Sequence, residues 1–398
     1  MKHPARPPVD FARAKLLVMA GSGGVGKTTT AAAVALAAAA SGRRVLVLTI
    51  DPARRLLQAL GLHSDDPNAI LPLPNTAHEV LPRLADQMPM DCVPGGTLHA
   101  MMLDPTTGAI AMVERLLPDQ AMREQVLNNR IYRAFLPTLQ ASPDYMALEL
   151  IYEMCSDPRF DLLVLDTPPM HNALDFLRSG NTLASFINDR VLKWFSKVPL
   201  PGKKVGGLAG LFGTGSSMAM GVLGRLFGSE TLPDVAEFFV AFQAVLPRLR
   251  DRALATDAML RADTTHFLIV TAPGETSLRE ARHLHHTLVA HHIDVAGFVV
   301  NRVMQLPAHL QPPPAALEMA AQLVAQGIDP DQAAGLVQPL QHAVQRLLHL
   351  GQADAGHLKE LQRLAGPHGL CVAVPQQEGD VHHLPLLCGI GRRVLASA

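Results

Sequence analysis

The sequence predicts an α/β fold: a doubly wound, mostly parallel sheet with helices on both faces and an inserted helical subdomain. The first observation is that short apolar segments of strand length alternate along the chain with longer segments of helical composition. The second is that these strands are apolar at nearly every position, which is typical of strands covered on both faces of a parallel sheet. The third is a glycine-rich loop between the first strand and the first helix, where a helix N-terminus can receive an anion.

The elements are predicted in a regular order. The first helix covers residues 28–40, is rich in alanine and ends before Ser41-Gly42, a helix stop signal. A capping box, Ser277-Leu-Arg-Glu280, predicts the start of a helix that runs to about residue 291. Residues 315–365 are predicted to be mostly helical. Buried strands are predicted at 15–20, 44–50, 160–166, 265–271, 295–300 and 370–374.

The predicted domain organisation is simple. Residues 1–14 are a basic, proline-containing lead that we expect to be mobile. Residues 15–398 are predicted to form one α/β domain, with helical insertions at about 101–158 and 174–262. No internal repeat is visible, so one chain carries one glycine-rich loop.

Composition limits the classes of function. Of the 398 residues, 48% are hydrophobic, enough for a large core, and the formal net charge is −1. A near-neutral chain has no overall field to attract nucleic acid or acidic lipid, so no nucleic-acid partner is expected. The four cysteines lie far apart and form no C-x-x-C, which predicts neither a disulfide framework nor a zinc site. We expect a cytoplasmic location, with peripheral contact to the inner face of the membrane as an alternative.

The glycine-rich loop carries the strongest functional signal. Residues 21–29 fit the pattern G-x-x-x-x-G-K-[ST] at every defined position. Small residues let successive backbone N–H groups converge on phosphate oxygens, Lys27 places a cation on the outer phosphates, and the Thr28 hydroxyl can reach a magnesium ion. The loop therefore predicts a bound nucleotide with Mg²⁺, identified as ATP by the motifs and the resemblance described below. The predicted nucleotide-binding residues of the loop are Gly21, Ser22, Gly23, Gly24, Val25, Gly26, Lys27, Thr28 and Thr29.

The same loop also satisfies a weaker pattern. Gly21, Gly23 and Gly26 match G-x-G-x-x-G, and Asp51 follows near the place where a dinucleotide fold has its ribose-binding acid. Lys27 and Thr28 favour the phosphate-loop interpretation, because a pyrophosphate on a helix N-terminus needs neither a lysine nor a magnesium ligand.

Asp51 directly follows the second predicted strand and precedes Pro52. A carboxylate at that strand end would face the γ-phosphate, where it could orient the attacking water with the magnesium ion near it. Asp51 is therefore a predicted catalytic residue, together with Lys27, and a predicted metal-site residue. The alternative is an N-cap aspartate for the next helix, since proline suits the first helical position.

Asp166 ends the buried strand at 160–166 and is followed by Thr167-Pro168-Pro169. An acid at this place is expected to hold magnesium through water in phosphate-loop enzymes. The predicted metal site thus comprises Thr28, Asp51 and Asp166. The alternative is a strand-ending aspartate in an ordinary turn.

These motifs, in this order and spacing, resemble the arsenite-transport (anion-transporting) ATPase family, which includes the targeting factor for tail-anchored membrane proteins. The residues that carry the resemblance are Gly-Gly-Val-Gly-Lys-Thr-Thr at 23–29, Asp51-Pro-Ala and Asp166-Thr-x-Pro. Weaker matches follow at Val270–Glu275, Val299-Val-Asn301-Arg and Ala373-Val-Pro375-Gln376. The resemblance covers nearly the whole chain.

The resemblance implies a magnesium-dependent ATPase that acts as a dimer with nucleotide near the interface, either a homodimer or a heterodimer with a related ATPase. It implies that Asp51 orients water, that Thr28 ligates magnesium and that Asp166 holds magnesium through water. It also implies that Asn301, Pro375 and Gln376 surround the adenine.

The chain departs from the family pattern at three points. Ser22 stands where the family has a lysine that reaches the partner's phosphates, so hydrolysis is slow or another cation substitutes, with Arg54 and Arg55 as candidates. Asn172 stands where targeting and arsenite members have a histidine. Neither the metalloid-binding cysteines nor the zinc C-x-x-C is recognisable, which puts both specialised roles in doubt.

The uncharged, glycine-rich segment 205–224 is a candidate surface for a hydrophobic client or for a membrane protein. The alternative is a loop packed on its own helical subdomain or on a dimer partner. The predicted function is an ATPase whose nucleotide state changes a dimer or a client-binding helical surface. Two alternatives remain: a nucleotide-gated binding or chaperone module with negligible turnover, and the motor subunit of a membrane anion pump.

Overall fold

The computed structural model describes residues 9–50, 55–62, 76–84, 95–103, 120, 123–124, 128–129, 143–167, 247–248, 250–307, 310–377 and 383–397. The segment 205–224, Asn172, Arg54 and Asp51 lie outside these residues. Within them the predicted α/β architecture is confirmed as an eight-stranded sheet with helices on both faces.

The sheet has the strand order β3-β4-β2-β5-β1-β6-β7-β8. Every neighbouring pair is parallel except β3 and β4, which are antiparallel. β1 lies in the middle, between β5 and β6, so the chain moves away from it in opposite directions. The strands are β1 Leu16–Gly21, β2 Arg44–Thr49, β3 His78–Glu79, β4 Thr97–Met102, β5 Leu162–Asp166, β6 Thr265–Thr271, β7 Val295–Val303 and β8 Leu370–Pro375.

The helices connect these strands and cover both faces of the sheet. In the described part of the chain they are α1 Lys27–Ala40, α2 Arg55–Ala59, α3 Leu81–Leu84, α4 Pro143–Ser156, α5 Glu275–Ala290, α6 Ala316–Ala325, α7 Pro330–Ala365 and α8 Leu384–Leu395. Residues 250–260, at the end of the second predicted insertion, are also helical.

Alternating side chains of β1 point into two separate cores. Leu17 and Met19 belong to the core under α1 and α8, whereas Leu16 and Val18 belong to the core under α4 and α5. Successive strand residues face opposite sides of a sheet, so an apolar residue at every position is what a strand between two helical layers requires.

The amino ends of the central strands are joined by Arg43. Its guanidinium donates to the carbonyls of Phe11 (2.8 Å), Ala14 (2.5 Å) and Asp161 (2.7 Å). Next to it, the hydrogen bond from the Arg44 guanidinium lowers the pKa of the Asp161 carboxyl to about 2. Residues 9–14 of the N-terminal lead therefore pack against the sheet, and Phe11 is buried.

Three local predictions are corrected. Helix α5 begins at Glu275 with Gly274 as its N-cap and without a side-chain cap bond, so the capping box at Ser277–Glu280 is wrong. Strand β4 covers residues 97–102, where no strand was predicted, because His99 interrupts the apolar run of Thr97-Leu-His-Ala-Met-Met. Strand β7 continues past residue 300 through an irregularity in its pairing with β8.

Helices α6 and α7 form a hairpin between β7 and β8. Asp329 caps α7 by accepting from the N–H groups of Asp331 (3.0 Å) and Gln332 (3.3 Å), and Pro330 occupies the first turn. α6 buries none of its residues. The hairpin exposes a set of leucines: Leu317, Leu336, Leu340, Leu347 and Leu350.

Two further features bear on the predictions. Cys155 and Cys371 have free thiols, whereas Cys388 on α8 is disulfide-bonded, a bond that cysteine spacing did not predict. Among the described residues, no helix combines the length and the apolar composition needed to cross a bilayer.

Candidate functional site

The carboxyl ends of the parallel strands bring the predicted site residues to one edge of the sheet. The glycine-rich loop follows β1, Asp166 ends β5, Asn301 lies near the end of β7, and Pro375 ends β8. In open α/β sheets, ligands bind outside these carboxyl ends, where the chain diverges to opposite sides of a central strand. The order of the strands around β1 therefore places the binding site at the glycine-rich loop.

Two glycines of the loop are required by its geometry. Gly21 has φ +155°, and a Cβ there would lie 2.1 Å from the carbonyl oxygen of Val270. Gly26 is the N-cap of α1 with φ +95°, and a Cβ there would lie 2.3 Å from Nδ2 of Asn301. Only glycine fits both positions, because each combines a positive φ with a close neighbour. The loop thus leads directly into the N-terminus of α1, where backbone N–H groups can meet phosphate.

Lys27 lies in the first turn of α1 and folds back over its own loop. Its ammonium group donates to the carbonyl oxygen of Ser22 at 2.7 Å, and the residue is buried. The ammonium is thereby held on the side of the loop that the phosphates of a nucleotide would occupy. Ser22 contributes a backbone acceptor here and no cation.

Thr28 and Asp166 are in direct contact. The Thr28 hydroxyl donates to Oδ2 of Asp166 at 2.7 Å, and the Thr49 hydroxyl donates to the same oxygen at 3.1 Å. The parallel register explains the contact, because β5 pairs with both neighbours and sets Asp166 opposite Met19 of β1 and Thr49 of β2. Asp166 is buried. Carboxylate and hydroxyl oxygens are the hard donors that Mg²⁺ prefers, so the residues present fit a magnesium ion.

Thr49 is a site residue that was not predicted. It ends β2 immediately before Ile50 and Asp51, and a threonine at the end of an apolar strand gives no distinctive signal. Only the pairing of β2 with β5 shows that its hydroxyl reaches the acid.

Asn301 contacts the glycine-rich loop. Its Nδ2 donates to the carbonyl oxygen of Val25 at 2.9 Å, and its Oδ1 accepts from the N–H of Arg302 at 3.0 Å. Arg302 has φ +60°, a left-handed conformation that is uncommon for a residue other than glycine. No pattern in the sequence indicates the contact between Asn301 and Val25.

Pro375 and Gln376 lie beside the end of β7. The N–H of Gln376 donates to the carbonyl oxygen of Val303 at 3.0 Å, and the Gln377 side chain donates to the carbonyl oxygen of Pro375 at 3.0 Å. The structure thus brings Asn301, Pro375 and Gln376 to the same edge as the loop. Asp51, the predicted catalytic acid, lies outside the described residues, immediately after Ile50.

This fold and this site define the class of the protein: a phosphate-loop nucleoside triphosphatase with a mostly parallel sheet. The chain belongs to the anion-transporting ATPase family, whose family model matches residues 14–320. It is accordingly an ATPase, which binds and hydrolyses ATP. The matched region ends within α6, so α7, β8 and α8 lie outside it.

Two curated proteins illustrate the relationship. "ATPase ASNA1 homolog 1" of Paramecium tetraurelia is 22% identical over 73% of this chain and 75% of its own length. "Putative arsenical pump-driving ATPase 1" of Aquifex aeolicus (strain VF5) is 23% identical over 73% of this chain and 63% of its own length. These similarities are distant and span most of the chain.

Proposed function

We propose that the protein is a magnesium-dependent ATPase whose nucleotide state controls its association with a second protein chain. The observation that supports magnesium dependence is the contact of Thr28 and Thr49 with one oxygen of Asp166 beside the phosphate loop. In phosphate-loop enzymes a hydroxyl and an acid in these places hold the ion.

The loop and Lys27 bind the phosphates in this proposal. The backbone N–H groups of 23–29 surround the β-phosphate. The Lys27 ammonium gives up its hydrogen bond to the carbonyl oxygen of Ser22 and donates to phosphate oxygen instead. Thr28 and Asp166 hold Mg²⁺, which when bound neutralises the charge that develops on the phosphates. Asp51 orients the attacking water and accepts its proton. Pro375, Gln376 and Asn301 border the adenine.

Turnover of two variants tests these assignments. Lys27→Ala removes the cation on the phosphates, and Asp51→Asn removes the base while leaving the shape of the side chain. We expect both to reduce Mg-ATP hydrolysis by about a hundredfold or more, in line with the loss of a charged transition-state contact. Asp51→Asn should still bind ATP, whereas Lys27→Ala should bind it more weakly. A wild-type rate in either variant contradicts the assigned role.

The missing loop lysine supports slow turnover. Ser22 offers only a short hydroxyl side chain, so the stabilisation that a lysine from a partner would supply is absent unless another cation supplies it. Arg55 begins α2 and is exposed at the end of the loop that follows β2. Arg54 precedes it. We propose that one of the two approaches the γ-phosphate, and a wild-type rate in both Arg54→Ala and Arg55→Ala contradicts this.

The second chain is proposed to be another copy of this protein or a related ATPase. The exposed leucines of α7 recur at positions 336, 340, 347 and 350, intervals of three, four and seven residues that put them on one face of the helix. Contiguous exposed apolar surface of this kind marks a protein contact. We propose a second copy for this face, in the cytoplasm, where ATP is available.

Light scattering tests this association. The Asp51→Asn variant with ATP and Mg²⁺ should be a dimer. Adding Leu340→Glu and Leu347→Glu should convert it to a monomer that still binds ATP. A monomer in the first case contradicts the coupling of nucleotide to association, and a dimer in the second contradicts the assigned face.

The family name and the Aquifex aeolicus relative, named as an arsenical pump-driving ATPase, favour a second candidate, the motor subunit of a membrane anion pump. Co-purification of a membrane protein with the ATP-loaded Asp51→Asn variant supports it. Recovery of the chain by itself contradicts it.

A further inference from the structure

We propose that Asn301 is a positioning residue for the phosphate loop, which holds the segment Val25–Gly26 in the shape that the triphosphate requires. This rests on the proposed binding of ATP at residues 21–29. It gives Asn301 a role toward the phosphates in addition to the place beside adenine that the family resemblance implies.

The hydrogen bonds of the Asn301 amide support this. One end of the amide donates to the carbonyl oxygen of Val25 at 2.9 Å, and the other end accepts from the N–H of Arg302 at 3.0 Å. The second bond orients the amide, so that its NH₂ group faces the loop. These two bonds engage one N–H and one lone pair of the amide, and its second N–H and second lone pair stay available to a nucleotide.

Contact with Gly26 places the same amide against the turn into α1. A Cβ on Gly26 would lie 2.3 Å from Nδ2 and 3.5 Å from Cγ of Asn301, so the Asn301 amide is the tertiary neighbour of this position. Gly26 directly precedes Lys27 and Thr28. Asn301 therefore packs on the backbone that aims the two phosphate-site side chains.

The backbone around Asn301 is itself held from two sides. The pairing of β7 with β8 shifts register between Val300 and Val303, and Arg302 adopts φ +60° within this bulge. Beyond the bulge, the N–H of Gln376 donates to the carbonyl of Val303 at 3.0 Å. The N–H of Met304 donates to Oδ2 of Asp354 on α7 at 2.8 Å. A bulge that re-aims one side chain is a recurrent device beside functional sites.

The consequence is a loss of affinity that does not depend on the base. If Asn301 shapes the loop, its removal weakens every ligand that carries the triphosphate. If Asn301 reads only adenine, its removal weakens the binding of ATP and leaves the binding of GTP and inorganic triphosphate unchanged. The affinities for the two ligands without adenine therefore distinguish the loop role from a role at the base alone.

Calorimetric titration of the full chain with Mg-ATP, Mg-GTP and magnesium tripolyphosphate measures these affinities. For Asn301→Ala we expect roughly a tenfold loss of affinity for Mg-GTP and for magnesium tripolyphosphate, the size of one hydrogen bond that leaves a polar partner unsatisfied. The loss of affinity for Mg-ATP should be at least as large. A selective loss of ATP binding, or no loss for any ligand, overturns the proposal. A wild-type chain that binds none of the three contradicts the proposed function instead.

Asn301→Asp is the matched variant. It keeps the shape of the side chain and the acceptor for Arg302, but a carboxylate cannot donate to Val25. We expect a loss at least as large as in Asn301→Ala, because the added negative charge also repels phosphate. Wild-type affinity in Asn301→Asp overturns the role of the donor. Circular dichroism checks that each variant folds. If Asn301→Ala does not fold, the affinities of Asn301→Asp are compared with those of the wild type instead.

A double-mutant cycle with Gly26→Ala tests the contact directly. Alone, Gly26→Ala places its methyl group against the Asn301 amide and should weaken ATP binding. In the Asn301→Ala background that clash is absent, so the double variant should bind ATP several-fold more tightly than the product of the two single losses predicts. Independent, multiplicative losses overturn the contact.

Discussion

At the scale of single residues, two threonine hydroxyls contact Asp166, and we propose different roles for them. Thr28 and Thr49 donate to the same carboxylate oxygen, at 2.7 and 3.1 Å, but they come from different elements. Thr28 stands in the first turn of α1, next to Lys27, whereas Thr49 ends β2. Thr28 belongs to the phosphate-loop motif and Thr49 does not, so of the two hydroxyls only that of Thr28 is proposed to ligate the metal.

This difference can be measured with a matched pair of variants. Thr28→Val should reduce Mg-ATP hydrolysis by about a hundredfold, because it removes a proposed metal ligand. Thr49→Val should reduce it by less than about tenfold, because it removes one hydrogen bond to the acid and no proposed metal ligand. Steady-state rates over a range of Mg²⁺ concentrations provide the comparison. Equal losses in the two variants contradict the separate roles.

The sequence predicted the residues of this site better than their contacts. Lys27, Thr28 and Asp166 were identified from the motif and from the end of a strand, and the structure places Thr28 and Asp166 together. The contacts of Thr49 with Asp166 and of Asn301 with Val25 were not predicted. They join residues 117 and 276 positions apart, and depend on the lateral order of strands, which no local pattern contains.

At the scale of elements, the phosphate loop leads into α1, and α1 is held in place by its packing against α8. α1 is rich in alanine and is buried along most of its length. Small side chains let another helix approach closely, and α8 does so at Gly391. A Cβ on Gly391 would lie 2.0 Å from the carbonyl oxygen of Ala33 and 2.7 Å from Cβ of Ala37.

Two glycines of α8 provide a test of this packing. Gly391→Ala should lower the free energy of unfolding by about 1–3 kcal/mol, because the added methyl group overpacks the helix contact. Gly389 lies on the same helix, and within the described part of the chain a Cβ there would meet no tertiary neighbour within 4 Å, so Gly389→Ala should stabilise the helix by up to about 1 kcal/mol. Urea denaturation measures the free energy of unfolding of both variants. A Gly391→Ala variant as stable as the wild type contradicts the close approach of α8 to α1.

Prediction of the elements succeeded where the pattern was long and apolar. Strand β6 has the predicted bounds, 265–271, because all seven residues are buried. Strand β4 was missed because His99 interrupts its apolar pattern, although the ring packs edge-on against Phe160 at a centroid distance of 5.2 Å. The start of α5 was misplaced because its N-cap is Gly274, which has no side chain to form the capping hydrogen bond that the prediction relied on.

At the scale of the whole molecule, the fold brings distant segments to one edge of the sheet. The loop after β1, the acid of β5, the bulge of β7 and the end of β8 meet there, although they span residues 21–376. The doubly wound class follows from sequence because alternating buried strands and helices allow few other arrangements. The lateral order of the strands and the α6–α7 hairpin do not follow from it, because both depend on long-range packing.

In the proposed function, the α6–α7 hairpin links the phosphate loop to the proposed partner surface. Asp354 of α7 accepts from the N–H of Met304, just after the β7 bulge, and Asn301 within the bulge donates to the phosphate loop. The leucines proposed to meet a second chain lie on the same helix, between residues 336 and 350. A shift of the loop on nucleotide binding would therefore act on the helix that carries the partner surface.

The magnesium titration of ATP hydrolysis, compared between the wild type and Asp166→Asn, tests the central claim most directly. We expect wild-type hydrolysis to require Mg²⁺ and to stop when the metal is chelated. We expect Asp166→Asn to need at least about tenfold more Mg²⁺ for half-maximal rate, because a neutral amide orients the metal's ligands less well than a carboxylate. Hydrolysis that continues without divalent metal, or an unchanged magnesium requirement in Asp166→Asn, would contradict the proposed metal site.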